Sequence, residues 1–299
     1  MYVSQMRPLD VVVVSYNSRT HLRSCVEPLA AMDDVNVIVV DNASADGCLA
    51  TIADLPVVRI ARSENGGFAK GCNEGWRAGS APLVLFLNPD ATIDAESLGR
   101  LRRVLEEDER IGAVAPKIVY PNGSITYSLR RFPRLRSTFA RAIFLHRILP
   151  RATWTDEIVR DERKYERPRS AEWVSGACLM VRRTALEELD GWDEEFFLYS
   201  EDIDLCRRLW RSGKRVRFEP SAIALHEGGA SAPSAVTVPH LATSRIKYAR
   251  KHHSSAYVAL SRLGLGLESS LRVLASRGGL ASRLAHLRSI ALLGSGTWL

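Results

Sequence analysis

Leu9-Asp10-Val11-Val12-Val13-Val14-Ser15-Tyr16 is an unbroken run of mostly β-branched residues that stops on polar ones. A strand buried on both faces of a parallel sheet reads this way, because neither alternating face needs to be polar. A helical segment over about residues 19–32 follows. Val35-Asn36-Val37-Ile38-Val39-Val40 then repeats the strand pattern and stops at Asp41-Asn42-Ala43-Ser44. Further strands are expected at 57–60 and 82–87, with Asn65-Gly66-Gly67-Phe68 opening a helix between them. Strands alternating with helices at this spacing predict an α/β domain with a mostly parallel central sheet. Polar clusters close three of the strands: Ser15-Tyr16-Asn17, Asp41-Asn42 and Asn88-Pro89-Asp90. Open α/β sheets bind ligands outside the carboxyl ends of their strands, and three clusters on one edge suit a nucleotide-sized ligand.

Beyond this half, residues 97–109 read as an amphipathic helix and 111–120 as a strand, with Pro121-Asn122-Gly123-Ser124 closing a hairpin. Residues 129–170 are rich in Arg with interspersed acids. They fit either a mobile acceptor-side segment or a solvated helical insertion. Residues 172–181 read as one strand interrupted by Gly176, and 215–218 and 222–225 as two short strands around Glu219-Pro220-Ser221, the second ending at His226.

Between them lies Trp192-Asp193-Glu194-Glu195-Phe196-Phe197-Leu198-Tyr199-Ser200-Glu201-Asp202-Ile203-Asp204-Leu205. Ile203, Cys206 and Trp210 share a face, so a helix begins near Ser200 with Glu201, Asp202 and Asp204 in its first turn. Acids there suit the helix dipole. Aromatic neighbours would also place them against low-dielectric walls, where a carboxylate becomes a better base. Trp192, Phe196 and Tyr199 fit either core packing or the wall of a pocket.

With 299 residues, 46% apolar and 25% charged, the composition is that of a folded domain rather than a disordered chain. The net charge of +7 is concentrated in residues 241–299, which carry nine Lys or Arg against the single acid Glu268. No aromatic stacking platform or nucleic-acid fold motif accompanies these charges, so nucleic acid is not the expected partner. Mixed basic and apolar helices over 241–299 suit either an anionic membrane surface or a helical appendage covering the rest of the chain. The five cysteines are odd in number, scattered and form no C-x-x-C pair, so they suggest neither a zinc knuckle nor a disulfide framework and fit a reducing compartment. With no signal-peptide pattern and no run of about 20 apolar residues, the expectation is a cytoplasmic protein, peripheral at the inner face of the plasma membrane.

As an ordered set, Ser15-Tyr16-Asn17, Val40-Asp41-Asn42-Ala43-Ser44, Asn65-Gly66-Gly67-Phe68, Asn88-Pro89-Asp90, Ser175-Gly176-Ala177, Glu201-Asp202 and His226 resemble the family 2 inverting glycosyltransferases. The likeness covers roughly residues 9–230. Its 173–225 segment is similar to bacterial rhamnosyltransferases acting on lipid-linked sugars. The resemblance implies a GT-A fold over residues 1–240, with a nucleotide-sugar half (9–120), an acceptor half (121–240) and a basic helical tail (241–299). It also implies that Asp41 holds the base, with Ser15, Tyr16, Asn17 and Asn42 around it. Asn65, Gly67 and Lys70 lie by the donor, Lys70 meeting a phosphate, with Asn88 and Asp90 at the diphosphate. Asp90 and His226 are then ligands to Mn²⁺ or Mg²⁺. Asn88 stands where the family's Asp-x-Asp motif has its first acid, so one anionic ligand fewer is available.

Trp173, Ser175 and Gly176 fall on the acceptor side. Asp202 matches the catalytic base and Glu201 supports it; a single displacement with inversion needs one base and no covalent nucleophile. The implied reaction moves L-rhamnose from dTDP-L-rhamnose to a polyprenyl-diphosphate-linked saccharide in cell-envelope polysaccharide synthesis. A UDP-hexose donor is the alternative within the class, and a silent sugar- or lipid-binding scaffold the alternative outside it. A dinucleotide oxidoreductase is disfavoured, because no G-x-G-x-x-G follows the first strand.

Overall fold

The computed structural model describes residues 8–228, 234–275 and 279–295. Its first part alternates as β1 (Leu9–Ser15), α1 (Leu22–Ala30), β2 (Val35–Asp41), β3 (Val58–Ala61), α2 (Phe68–Ala78) and β4 (Leu83–Leu87). Next come β5 (Ala91–Ile93), α3 (Ala95–Glu107) and β6 (Ile111–Val119). Asp94 caps α3 by accepting the Ser97 N–H at 2.7 Å, which starts the helix two residues ahead of the sequence expectation. The second part contributes β7 (Leu129–Arg130), α4 (Leu135–Ala142), α5 (Leu145–Ile148), β8 (Arg169–Ala171), β9 (Trp173–Val174) and β10 (Cys178–Arg182). It ends with α6 (Arg183–Glu188), α7 (Glu201–Arg211), β11 (Arg215–His226), α8 (Ser234–His252), α9 (Ser255–Ala275) and α10 (Gly279–Ser295).

The main sheet runs β3-β2-β1-β4-β10-β6-β11-β5, with β8 also paired to β11. Strands β3, β2, β1 and β4 are all parallel, and Ser15 stands opposite Asp41 and Val13 opposite Leu87. Their polar ends therefore share one edge. Val12, Val14, Val84 and Phe86 enter one apolar cluster, while Val11, Val13, Leu85 and Leu87 enter another. That alternation places one cluster on each face of the sheet. It explains why these strands show no polar face.

Three elements differ from the sequence expectation. The strand expected over 172–181 is two: β9 pairs with β7 in a small separate sheet, whereas β10 runs antiparallel between β4 and β6. Ser175-Gly176-Ala177 is the hinge between them. Residues 215–226 form one strand rather than two, because its register against β6 jumps between Glu219 and Ile223 and the bulge absorbs Pro220. The turn at 121–124 forms, with the Tyr120 N–H donating to the Ser124 carbonyl at 2.9 Å, but it closes on a single bridge, Val119 to Ile125.

The 129–170 segment and the tail pack together. Helix α4 lies on α9, where Gly264 brings the helices close: a Cβ there would stand 2.9 Å from Thr138 Cγ2. Helices α8 and α10 meet over Ala242, Ile246 and Leu293. No described helix is long and apolar enough to cross a membrane.

Candidate active site

The loops after β1 and β2 clasp each other at the polar edge. Asn17 sits in the left-handed region (φ +51°), donates its N–H to Ser44 Oγ at 2.9 Å and accepts the Ala45 N–H on Oδ1 at 2.9 Å. Asp41 is buried; its carboxylate accepts the Ser44 hydroxyl, the Ser44 N–H at 3.3 Å and the Cys48 thiol at 3.3 Å. Tyr16 projects from this rim and is half exposed, while Ser15 beneath it is fully buried. Asn42 is buried too, donating its side-chain N–H to the Gly67 carbonyl at 3.0 Å. Its amide holds the neighbouring loop instead of facing outward.

Gly67 has φ +88°, and a Cβ there would stand 2.3 Å from the Phe197 carbonyl oxygen. Only glycine lets this loop lie against the 192–200 segment. Asn65 Oδ1 accepts the Gly67 N–H at 3.0 Å, and Lys70 is half-buried in the first turn of α2.

Backbone pairing brings Asp90 and His226 together. His226 stands opposite Ala91 in the β5–β11 ladder, and the Glu227 N–H donates to the Asp90 carbonyl at 3.0 Å. The His226 Nε2 then lies 3.0 Å from Asp90 Oδ1 and 3.5 Å from Asn88 Nδ2. Burial pushes the Asp90 carboxyl up, but the hydrogen bond and charge of His226 outweigh it and hold the group below its usual range. Among the described residues, no cluster of three or more His, Cys, Asp or Glu side chains could hold a metal. An ionised carboxylate and an imidazole converging at this distance do fit two positions of a divalent ion whose other ligands are ligand oxygens or water.

The 175–177 hinge couples this edge to the acidic helix. The Asn88 N–H donates to the Ala177 carbonyl at 2.9 Å, and the Gly176 N–H donates to Asp202 Oδ2 at 3.2 Å. Asp202 Oδ1 accepts the Ile203 N–H at 2.8 Å. Two adjacent non-glycine residues in the left-handed region, Tyr199 (φ +68°) and Ser200 (φ +70°), turn the chain sharply into α7. Such strain clusters at functional sites.

The first-turn acids differ in surroundings. Glu201 is buried with Oε2 unpartnered, and burial followed by the Asp202 charge pushes its carboxyl well up. Burial also raises Asp202, against the Gly176 and Ile203 N–H bonds and the positive charges of Arg130 and Arg245. Of the two, it is the Asp202 carboxylate that accepts backbone N–H groups from Gly176 and Ile203, bonds that favour its charged form. Asp204 is a tether. Burial raises it, but His252 at 2.7 Å, Arg208 at 2.7 Å and Lys251 at 2.9 Å lower it to about 2, and the His252 and Lys251 contacts bind α7 to α8.

Of the expected acceptor residues, Ser175 is half-buried, whereas Gly176 is buried and touches Asp202 through its backbone. Trp173 is buried, with its indole N–H donating to the Arg131 carbonyl at 2.8 Å. Trp192 and Phe196 are core; Trp192 packs edge-on against Phe68 and Phe86. Sequence reading passed over Arg130 and Arg245. Arg130 packs over the Trp173 ring at 5.6 Å. Nothing separates these two from the many other arginines of their segments except three-dimensional position.

A profile described as Glycosyl transferase family 2 matches residues 10–190. An N-acetylglucosaminyl-diphospho-decaprenol L-rhamnosyltransferase of Mycobacterium tuberculosis (strain H37Rv) is 33% identical over 294 residues, covering 93% of this chain and 92% of that protein. Rhamnosyltransferase WbbL of Escherichia coli K12 is 25% identical, covering 72% of this chain and 82% of its own. Among solved structures, the chain is similar in fold to the mannosyltransferase PcManGT from Pyrobaculum calidifontis in complex with GDP-Man and Mn²⁺ (TM-score 0.57, 18% identity, 98% of this chain and 80% of that one). It is similar also to S. aureus TarS 1–349 (TM-score 0.54, 16% identity, 97% and 92%).

Proposed function

The chain belongs to glycosyl transferase family 2, and from that premise we propose that it transfers L-rhamnose from dTDP-L-rhamnose, with inversion, to a polyprenyl-diphosphate-linked N-acetylglucosaminyl saccharide in cell-envelope polysaccharide synthesis. The observation that carries the chemistry is the 175–177 hinge, which ties the Asp202 carboxylate and the Asn88 end of β4 to neighbouring peptide units. Donor and acceptor are read from the likeness over nine-tenths of both chains to the mycobacterial rhamnosyltransferase.

In this reading the base stacks near Tyr16 and meets Asp41 at the rim, with Ser15, Asn17 and Asn42 shaping the loops beneath. Asn65, Gly67 and Lys70 border the donor. The diphosphate lies over Asn88 and Asp90. Asp90 and His226 would hold Mn²⁺ or Mg²⁺, which supplies positive charge to the leaving nucleoside diphosphate. Asp202 takes the proton from the acceptor hydroxyl as that oxygen attacks the anomeric carbon and the bond to the diphosphate oxygen breaks. Glu201, neutral, keeps the wall apolar and Asp202 proton-seeking. Ser175 borders the acceptor, and Gly176 and Trp173 position Asp202 and the floor.

Residues 9–120 serve the donor and 121–240 the acceptor. The enzyme works in the cytoplasm at the inner face of the plasma membrane, against which the tail rests. Leu260, Leu263, Leu267 and Leu274 on α9, and Leu280, Leu284 and Leu287 on α10, recur at i, i+3, i+4 and i+7 spacing and are all exposed. In a basic tail that pattern suits an anionic bilayer.

Calorimetric titration of dTDP and UDP, each with and without Mn²⁺, tests the donor, followed by transfer from dTDP-L-rhamnose to a prenyl-diphosphate N-acetylglucosamine. Tighter, Mn²⁺-dependent binding of dTDP together with turnover is expected. Preference for UDP would discard rhamnose, and binding without turnover on any acceptor would leave only a scaffold.

A further inference from the structure

Helices α4, α8, α9 and α10 line a partly open cavity of about 310 Å³. A helical layer serving only as a cover would fill such space, since protein interiors are close-packed. Val238, Ala242 and Leu265 give it an apolar wall, while Arg141, Arg245, Arg272, Glu157 and Glu268 bring charge to it. Their pairing is tight. Glu268 meets Arg272 at 2.7 Å and Arg141 at 3.6 Å, Arg141 also meets Asp156 at 3.2 Å, and Arg245 bonds Glu157 through Nη2. Burying ions is costly when apolar packing would serve, so an ionic cluster kept beside an apolar wall marks a place for an amphipathic ligand with a charged head.

Two residues of the lining also carry a buried polar atom without a partner. Tyr248 is 1% exposed and its hydroxyl bonds nothing, and His286 Nδ1 is likewise buried and unpaired. Unsatisfied buried groups of this kind call for a ligand or water.

The cavity also has a direction. Ser244, the residue before Arg245, donates its hydroxyl to the Leu198 carbonyl at 2.7 Å, so this end abuts the turn that enters α7. The positive charge of Arg245 acts on the Asp202 carboxylate. Leu265, also in the lining, belongs to the helix that carries the exposed Leu263 and Leu267. A chain entering from the leucine face and ending in phosphate would thus point its head toward Asp202.

We propose that this cavity binds the first isoprene units and the diphosphate of the lipid-linked acceptor, with Arg245, beyond its bond to Glu157, offering its remaining N–H donors to the diphosphate. The proposal rests on the acceptor being lipid-linked. Its volume, at the low end of the roughly 300–1,000 Å³ of ligand pockets, suits a few isoprene units and leaves the rest of the chain to the bilayer.

The test is calorimetric titration of farnesyl diphosphate into the full chain already saturated with dTDP and Mn²⁺, which blocks the donor's diphosphate site. Farnesol and inorganic pyrophosphate serve as comparison probes. Farnesyl diphosphate should bind more tightly than either fragment. Ala242→Trp, which fills the cavity, should weaken it by about tenfold or more while leaving dTDP affinity unchanged. Leu265→Trp repeats the test should Ala242→Trp fail to bind dTDP. Absence of farnesyl diphosphate binding to the wild type, or equal binding by a variant that still binds dTDP, overturns the proposal. Rhamnosyl transfer to a chain-free acceptor with no response to farnesyl diphosphate would sink the cavity and spare the proposed reaction. Binding in the cavity without transfer to any acceptor would do the reverse.

Discussion

A carboxylate that must accept a proton near neutral pH works best when its own proton affinity is raised, and Asp202 has that character through burial. Because its carboxyl sits above the ordinary range of about 3.9, the rate should fall as pH falls through the raised value, at a higher pH than an exposed aspartate would give. Asp202→Asn should lower kcat by about a hundred- to ten-thousand-fold with calorimetric dTDP affinity intact; turnover at the wild-type rate would remove it from the base role. Glu201, also raised, favours the folded state in acid, and that contribution is lost as pH rises through its folded value. Glu201→Gln should therefore melt above the wild type by a margin that widens toward alkaline pH, as scanning calorimetry would show. The element boundaries at which Asp90, His226 and Asp202 lie were legible in the sequence, whereas the roles proposed for these residues come from the family resemblance. The burial of Asn42 and Trp173 was not legible, since their partners come from other segments.

At the scale of elements, β1, β2 and β4 announce themselves because strands covered on both faces are apolar throughout. The split of 172–181 is invisible in composition, as Ser, Gly and Ala neither break an apolar run nor name a new partner strand. The bulge in β11 looks like a turn for the same reason that Pro220 fits it: both tolerate a missing N–H. Helix α7 depends on a contact far away in sequence, between Asp204 and the end of α8. Asp204→Asn should cost about 3–5 kcal/mol in urea unfolding at neutral pH, the usual result of breaking a buried ionic cluster. The wild type should lose this contribution between about pH 4 and about pH 2, since the folded carboxyl is held down at about 2. An unchanged urea midpoint in the variant would make the cluster energetically idle.

Across the whole molecule, the basic tail left two readings open in the sequence, a cover and a membrane contact. It covers the 129–170 segment with one face of α9 and leaves leucines on another. Both patterns coexist in one helix, so apolar periodicity could not separate them. Replacing Leu263 and Leu267 by Glu should reduce flotation with anionic liposomes several-fold while leaving the melting temperature within a few degrees. Undiminished flotation would place the contact elsewhere.

Strand β10 occupies the middle of the sheet but arrives late in the chain. During synthesis the β4 edge, Leu-Val-Leu-Phe-Leu, waits roughly 90 residues for its antiparallel neighbour, about 5–20 s at ordinary elongation rates. For that interval the ribosome-bound chain presents an apolar, unpaired strand, the kind of template on which chains aggregate. A fragment ending near residue 120 would hold that edge open permanently. The donor half should therefore depend on chaperones as a nascent chain and precipitate when expressed by itself, however complete its nucleotide-facing loops.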